Sequence, residues 1–331
     1  MLLPSETSIP LDEAAPSYHR ILTHFDLDGV SSAALCAFIF GIRKIEFTGP
    51  AAVDTASVDA TTIVCDLPYP RQCGLWFDHH MSNVENLSFR KIDPASVPGR
   101  LEDRPSCLRV IYEYFLPDFE IEEWEPFVIA VDAIDGFQFA SVEEWRNETP
   151  AKILDAAIRC DTNDAAFLRR LALQLAETDF RTIAKDPAVL ERAGAVQRAE
   201  EAQITLIQRA ARFLDKDEQI ILLDLTEYQK PPYFHKALSF VVFPQAIAVL
   251  EVRCQYLSGQ KSNNLNFSMS LGFADRPRRA RKNLGEIMRT LNIGDGHPGA
   301  AAGRINCTSK AERTKKLEQT LHRIVEIWNR Q

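Results

Sequence analysis

The stretch Ile21 to Gly29, ILTHFDLDG, places His24, Asp26 and Asp28 within five residues. One imidazole and two carboxylates are hard donors of the kind that hold Mn²⁺ or Mg²⁺. Read as a strand, positions i, i+2 and i+4 share a face, so the three side chains would converge at the strand's carboxyl end. The next run, VSSAALCAFIFGIRK, reads as a helix opening on Ser31 and Ser32. Such a start offers a phosphate free N–H groups and the positive end of the helix dipole. A solvated, Asp-rich turn would carry the same residues, so the rest of the chain must supply further ligands.

Three further segments do. Asp66 ends the β-branched run TTIVC, as a strand-end ligand would. Asp78, His79 and His80 end the apolar run GLWF. Adjacent strand residues face opposite sides, so one histidine can bind metal, oriented by Asp78, while the other faces a phosphate. Asp132 and Asp135 lie in VIAVDAIDGFQF, and spacing alone does not choose between them.

These residues sit where strand–helix alternation would deliver them. Strands are expected at 20–25, 44–48, 61–65 and 74–77, with helices at 29–41 and 106–115. That pattern predicts an α/β fold with a mostly parallel sheet, whose ligand crevice lies beyond the carboxyl ends of the strands. A long polar helix near 188–214 suits a connector. Strand-like runs at 219–224, 238–252 and 265–271 and a helix at 283–291 then predict a smaller C-terminal α/β unit. The expected organisation is a loose arm over 1–18, a metal-binding catalytic domain over 19–187, a helical linker over 188–216 and a substrate-binding domain over 217–331.

The 331 residues are 46% hydrophobic and 25% charged, ordinary for a soluble globular protein. The net charge of −8 excludes a general basic surface for long nucleic acid, so contact with a polyanion must be local. The seven scattered cysteines form no C-x-x-C pair and suit reduced, buried thiols. The N-terminus lacks the features of a signal peptide, and no apolar run is long enough to span a membrane. A cytoplasmic location is expected.

THFDLDG, Asp66, the literal DHH at 78–80 and Asp132/Asp135 resemble the four motifs of the DHH phosphoesterase superfamily, in order and spacing. GDGHPGAAAG at 294–303 is similar to the GGGH-x-x-AAG signature of the DHH-associated C-terminal domain. Relatives include nanoRNases that also act on nucleoside bisphosphates, RecJ-type exonucleases, family II pyrophosphatases and exopolyphosphatases. The resemblance implies a two-metal site, usually Mn²⁺, with Mg²⁺ as an alternative. Asp66 would bridge both ions. His24 and Asp26 would complete one site, while Asp28, His79 and Asp132 or Asp135 would complete the other. His80 would contact the phosphate.

Gly294 and Gly296 would let backbone N–H groups approach an anion to which His297 donates. The sequence departs from the pattern at three places, the first being His24, which lies two residues before Asp26 where many relatives carry the histidine four residues before the first aspartate. Ser270, in FSMSL, stands where nanoRNases carry an arginine that helps hold the nucleotide end. Asp295 replaces a glycine of GGGH, and Arg304 or the cluster Arg276, Arg278, Arg279, Arg281 and Lys282 could compensate for its charge. The expected activity is hydrolysis of a small phosphoester, a short oligonucleotide or nucleoside bisphosphate, by metal-activated water. The alternatives are an exopolyphosphatase- or pyrophosphatase-like hydrolase, or a non-catalytic metal- or nucleotide-binding relative. A homodimer is expected by analogy alone.

Overall fold

Strands that are apolar at every position need cover on both faces, and the first sheet has it. A computed structural model of the chain describes residues 17–230, 235–257, 259–273 and 279–331. It places Arg20–Thr23 (β1), Ile45–Phe47 (β2), Thr62–Cys65 (β3), Leu75–Asp78 (β4) and Gly99–Leu101 (β5) in one sheet of order β2-β1-β3-β4-β5. Every neighbouring pair is parallel. Ile21, Ile63 and Phe77 face one apolar cluster, and Leu22, Val64 and Trp76 face another. Two-sided burial of this kind is the usual condition of a parallel sheet.

Leu27–Phe40 (α1) follows β1. Its alanines Ala33, Ala34 and Ala37 are buried, and it packs against Cys107–Phe115 (α3) and the helix Ala165–Glu177. Ser82–Phe89 (α2) follows the β4 corner, and Glu125–Asp135 (α4) is a helix across the fourth motif. The described residues up to Gln138, with Glu148–Val196, form one compact unit. Phe139–Asn147 and Gln197–Gln331 form the second. The long helix is Pro187–Ala210.

The second unit is built on Ala211–Phe213 (β6), Ile220–Asp224 (β7), Ala248–Leu257 (β8), Gln260–Leu271 (β9), Gly294–His297 (β10) and Ala300–Ile305 (β11). Their order is β10-β11-β9-β8-β7-β6, with only β7 and β8 parallel among these pairs. The helices Leu284–Thr290 and Lys310–Arg330 cover one face, where Ile287, Met288, Ile324 and Trp328 join Leu250, Phe267 and Met269 in a core. Strand alternation sends Glu251, Arg253, Ser268, Ser270 and Arg304 to the opposite face.

The strand expected at 238–252 is a correction. Lys236–Leu238 and Ser239–Val242 are short helical turns, and the ladder begins only at Ala248. Pro244 has no N–H to give a ladder, so the apolar run breaks there. The expected arm lies outside the described residues up to position 16, as do Arg276 and Arg278. All seven cysteines are free, and all but Cys160 are buried. Among the described residues no helix is long and apolar enough to cross a membrane.

Candidate metal centre

His24, Asp26 and Asp28 do converge, but through a strand–helix corner rather than strand alternation. β1 ends at Thr23, Asp26 is the N-cap of α1, and Asp28 stands in its first turn. The Asp26 carboxylate accepts from Gly29 N at 2.9 Å, the ordinary capping bond. A Cβ on Gly29 would lie 2.4 Å from the His24 carbonyl oxygen, so only glycine lets the helix fold back over the strand end.

Three groups of donors gather at the carboxyl ends of β1, β3 and β4: His24, Asp26 and Asp66; Asp28, His79 and Asp135; and Asp66, His79 and His80. Asp66 belongs to two of them. His24 Nδ1 lies 2.7 Å from Asp26 Oδ2 and 3.5 Å from Asp66 Oδ2. His79 Nε2 lies 3.4 Å from Asp135 Oδ2 and 3.8 Å from both Asp28 Oδ2 and Asp66 Oδ1.

Three of these donors, Asp28, His79 and His80, are held from behind. Asp28 accepts from the amides of Cys107 and Leu108 at 2.6 and 2.8 Å, at the start of α3. His79 Nδ1 lies 3.0 Å from the carbonyl oxygen of Arg104. A carbonyl only accepts, so Nδ1 carries the proton and Nε2 turns its lone pair into the site. Asp78 orients His80, not His79. Its Oδ1 accepts from His80 Nδ1 at 2.9 Å, and Asn83 Nδ2 donates to its other oxygen. The Nε2 edge of the half-exposed His80 ring is thereby left available.

Asp66 Oδ1 and His79 Nε2 are buried and have no hydrogen-bond partner. Buried polar atoms are nearly always paired, so two unpaired ones 3.8 Å apart mark a place built for something else. No Lys or Arg among the described residues lies within 4 Å of the carboxylates of Asp26, Asp28, Asp66, Asp78 or Asp135. Hard oxygen and imidazole donors, negative and desolvated, fit divalent cations such as Mn²⁺ or Mg²⁺.

The carboxyl groups show the same demand electrostatically. Burial, then the charges of Asp28, Asp26 and Asp135, raise Asp66 well above the usual carboxylate range. Burial chiefly, with the charge of Asp26, raises Asp28 to about 6. Burial, then Asp28 and Asp26, raises Asp135 to about 8. Burial also acts on Asp26, but hydrogen bonds and attraction from His24 outweigh it and leave that group below its ordinary value. Hydrogen bonding to Asp78 raises His80. The backbone is unusual here as well: Asp66 has φ of 54°, in the left-handed region that most L-residues avoid.

Of Asp132 and Asp135, only Asp135 joins the cluster. Asp132 is consumed by Ser106 Oγ at 2.6 Å and by a two-pronged contact from Arg109, Nε at 2.9 Å and Nη2 at 2.6 Å. Ser31 and Ser32 are corrected as phosphate contacts. Both are fully buried, Ser31 Oγ bonding the Leu27 carbonyl at 2.7 Å and Ser32 Oγ the Asp28 carboxylate at 3.3 Å. They brace α1 instead. The supports Ser106, Asn83 and the Arg104 carbonyl were not read from the sequence. Ser106 alone left a signal there, as the N-cap of SCLR.

In the second unit, Gly294, Gly296 and His297 form an exposed strand of the β10–β11 hairpin. A Cβ on Gly294 would fall 2.0 Å from the Ala302 carbonyl oxygen, so the glycine serves the pairing itself. Asp295 accepts from Gly296 N at 2.7 Å and is paired with Arg289; that backbone hydrogen bond first, and then the guanidinium, hold its carboxyl below the usual range. His297 Nδ1 accepts from Gly299 N at 3.2 Å. Arg304 Nε donates to Asn266 Oδ1 at 3.3 Å.

No family model and no curated relative matches the chain. Among solved structures, it is similar to a pGpG-specific phosphodiesterase, PggH, from Vibrio cholerae, with a TM-score of 0.68 at 23% identity over 93% of this chain and 99% of that one. It is also similar to RecJ from Thermus thermophilus, solved with Mn²⁺, with a TM-score of 0.52 at 15% identity over 96% of this chain. The chain spans only 52% of that RecJ. Identity at this level speaks for architecture, and the architecture is the one that the motifs implied: the chain has the fold of the DHH phosphoesterases.

Proposed function

We propose that this protein is a metal-dependent phosphohydrolase acting on a small phosphoester, either a short oligonucleotide or a nucleoside bisphosphate. The observation that carries the reading is the pair of buried, unpartnered ligand atoms, Asp66 Oδ1 and His79 Nε2, at the meeting point of the donor groups. His24, Asp26 and Asp66 would hold one divalent cation, Mn²⁺ in the first instance, and Asp66, Asp28, His79 and Asp135 a second. When bound, two such cations neutralise phosphoryl oxygens and lower the pKa of a water toward neutrality. Asp66 is the carboxylate common to both sites, and its burial prevents it from turning away to solvent. His80, fixed by Asp78 and Asn83, aims its free ring nitrogen at the phosphoryl group. The Arg104 carbonyl keeps His79 in the tautomer that presents Nε2.

The test is phosphate release by the purified protein with Mn²⁺ on 3′-phosphoadenosine 5′-phosphate, RNA di- to pentanucleotides and polyphosphate. Turnover of the nucleotides, reduced at least about 10³-fold in Asp66→Ala, is the expected result. Turnover of polyphosphate alone would replace this substrate class. Bound metal without turnover of any of them would count against a hydrolase.

A further inference from the structure

The first turn of α3 is held by two carboxylates that arrive on different helices. Asp28, from α1, accepts from Cys107 N through one oxygen and from Leu108 N through the other, at 2.6 and 2.8 Å. Asp132, from α4, also spends both oxygens on this turn. Its Oδ1 takes Ser106 Oγ, and its Oδ2 takes Nε and Nη2 of Arg109. Ser106 is the N-cap of α3, and its Oγ accepts from Arg109 N at 3.1 Å. A carboxylate only accepts, so the hydroxyl gives its proton to Asp132 and its lone pair to the helix. Asp132 thereby grips α3 both by its cap and by a side chain of its first turn.

This clamp suits geometry better than stability. Asp132 is 7% exposed and Ser106 is fully buried. A carboxylate and a guanidinium taken out of water return little net stability compared with apolar side chains of similar size. Two N–H groups on one carboxylate oxygen do fix distance and angle, as a lysine's point charge would not. The Arg109 charge is met by Asp132, so the pair adds no net charge beside the buried acids.

Both ends of the clamp lead to the same donor group. At the α3 end, the capped turn presents the two amides that hold Asp28. At the α4 end, Asp135 follows Asp132 by three residues on the same helix, which brings its Oδ2 to 3.4 Å from His79 Nε2. Asp28, His79 and Asp135 form one of the three groups of donors. His24, Asp26 and Asp66 form another, and among the described residues their side chains make no hydrogen bond to α3 or α4.

We propose that Asp132, Arg109 and Ser106 are positioning residues for one of the two cations: they set α3 against α4 so that Asp28 and Asp135 meet the same ion. The assignment rests on the metal-binding part of the function proposed above and is independent of the substrate.

Calorimetric titration of the metal-free chain with Mn²⁺, with electron paramagnetic resonance spectra of the bound ions, tests it. Wild type should take up two ions and show the spin coupling of a bridged pair. A support directly behind a ligand is worth about 10- to 100-fold in metal affinity, and this clamp acts one contact further back. Asp132→Asn and Arg109→Met should therefore weaken one ion by about 10-fold and leave the other within about twofold. The coupled spectrum should give way to that of an isolated ion at limiting Mn²⁺. Arg109→Lys, which keeps the charge without the two-pronged fit, should recover part of the loss, and it carries the comparison if Asp132→Asn does not fold. Asp135→Asn should weaken the same ion, and adding Asp132→Asn to it should cost little more. Unchanged affinity for both ions in the variants overturns the clamp. So does a parallel fall in both affinities in step with a lower Tm in chelator, which marks a merely structural contact. A wild type that binds fewer than two Mn²⁺ sinks the two-metal centre itself, and the clamp with it.

Discussion

The chain places an aspartate beside a histidine in two settings, and their surroundings are opposite. At the ends of β1, β3 and β4, the buried carboxylates of Asp28 and Asp66 crowd those of Asp26 and Asp135, and among the described residues they have only histidines for counter-charges. In the β10–β11 hairpin, Asp295 and His297 are exposed, and each already has a partner within a few residues, Arg289 and Gly296 N for one and Gly299 N for the other. The first setting is costly to the chain until a cation arrives. The second is content in water. Residue type does not separate them; desolvation does, because an unpaired charge is expensive only where solvent cannot screen it.

The largest expected break in this comparison is Asp66→Asn. Asn tolerates the left-handed backbone and keeps the shape of the side chain, but removes a buried acid from among like charges. With chelator at pH 7.5, its Tm should exceed wild type by about 2–5 °C, while the rise that Mn²⁺ gives the wild type should disappear. A variant less stable than wild type without metal, yet still stabilised by Mn²⁺, would show that this carboxylate is not the centre of the site.

A smaller effect follows from the raised carboxyl groups. An ordinary carboxylate titrates near 4, whereas folding raises Asp28 to about 6 and Asp135 to about 8. Between those values the folded state binds more protons than the unfolded one, so metal-free stability is lost as pH rises through that window. Metal affinity should run the other way, since the ligands bind deprotonated. Melting wild type and Asp135→Asn in chelator from pH 5 to 8 checks the sign. The variant's advantage should grow with pH, and a gap that stays constant or shrinks would contradict the assignment.

The smallest effect belongs to the hairpin. Asp295→Ala should change Tm by no more than about 1 °C and leave the Mn²⁺ shift intact, since an exposed pair contributes little.

Much of the first unit was legible in the sequence, because uniformly apolar β-branched runs ending in acids have few alternatives to buried parallel strands. Asp66 and Asp78 were legible for the same reason: they follow or close strands. What stayed hidden depends on residues distant in sequence. Asp135 rather than Asp132 faces the cluster only because Arg109 and Ser106, more than 20 residues earlier, occupy Asp132. Ser31 and Ser32 read as an open helix start, but the helix begins earlier, at Leu27, and buries them. The run at 238–252 looked like one strand because hydropathy cannot distinguish two buried turns from a ladder.

The left-handed backbone of Asp66 gives this position a further meaning. Glycine would adopt that conformation without strain and would bring no charge into the interior. A chain selected only to fold would therefore drift away from aspartate here and gain stability by doing so. Under the proposed function, the acid stands in a conformation that suits glycine better because of the cation it would hold, and stabilising this protein at that position would remove that capacity.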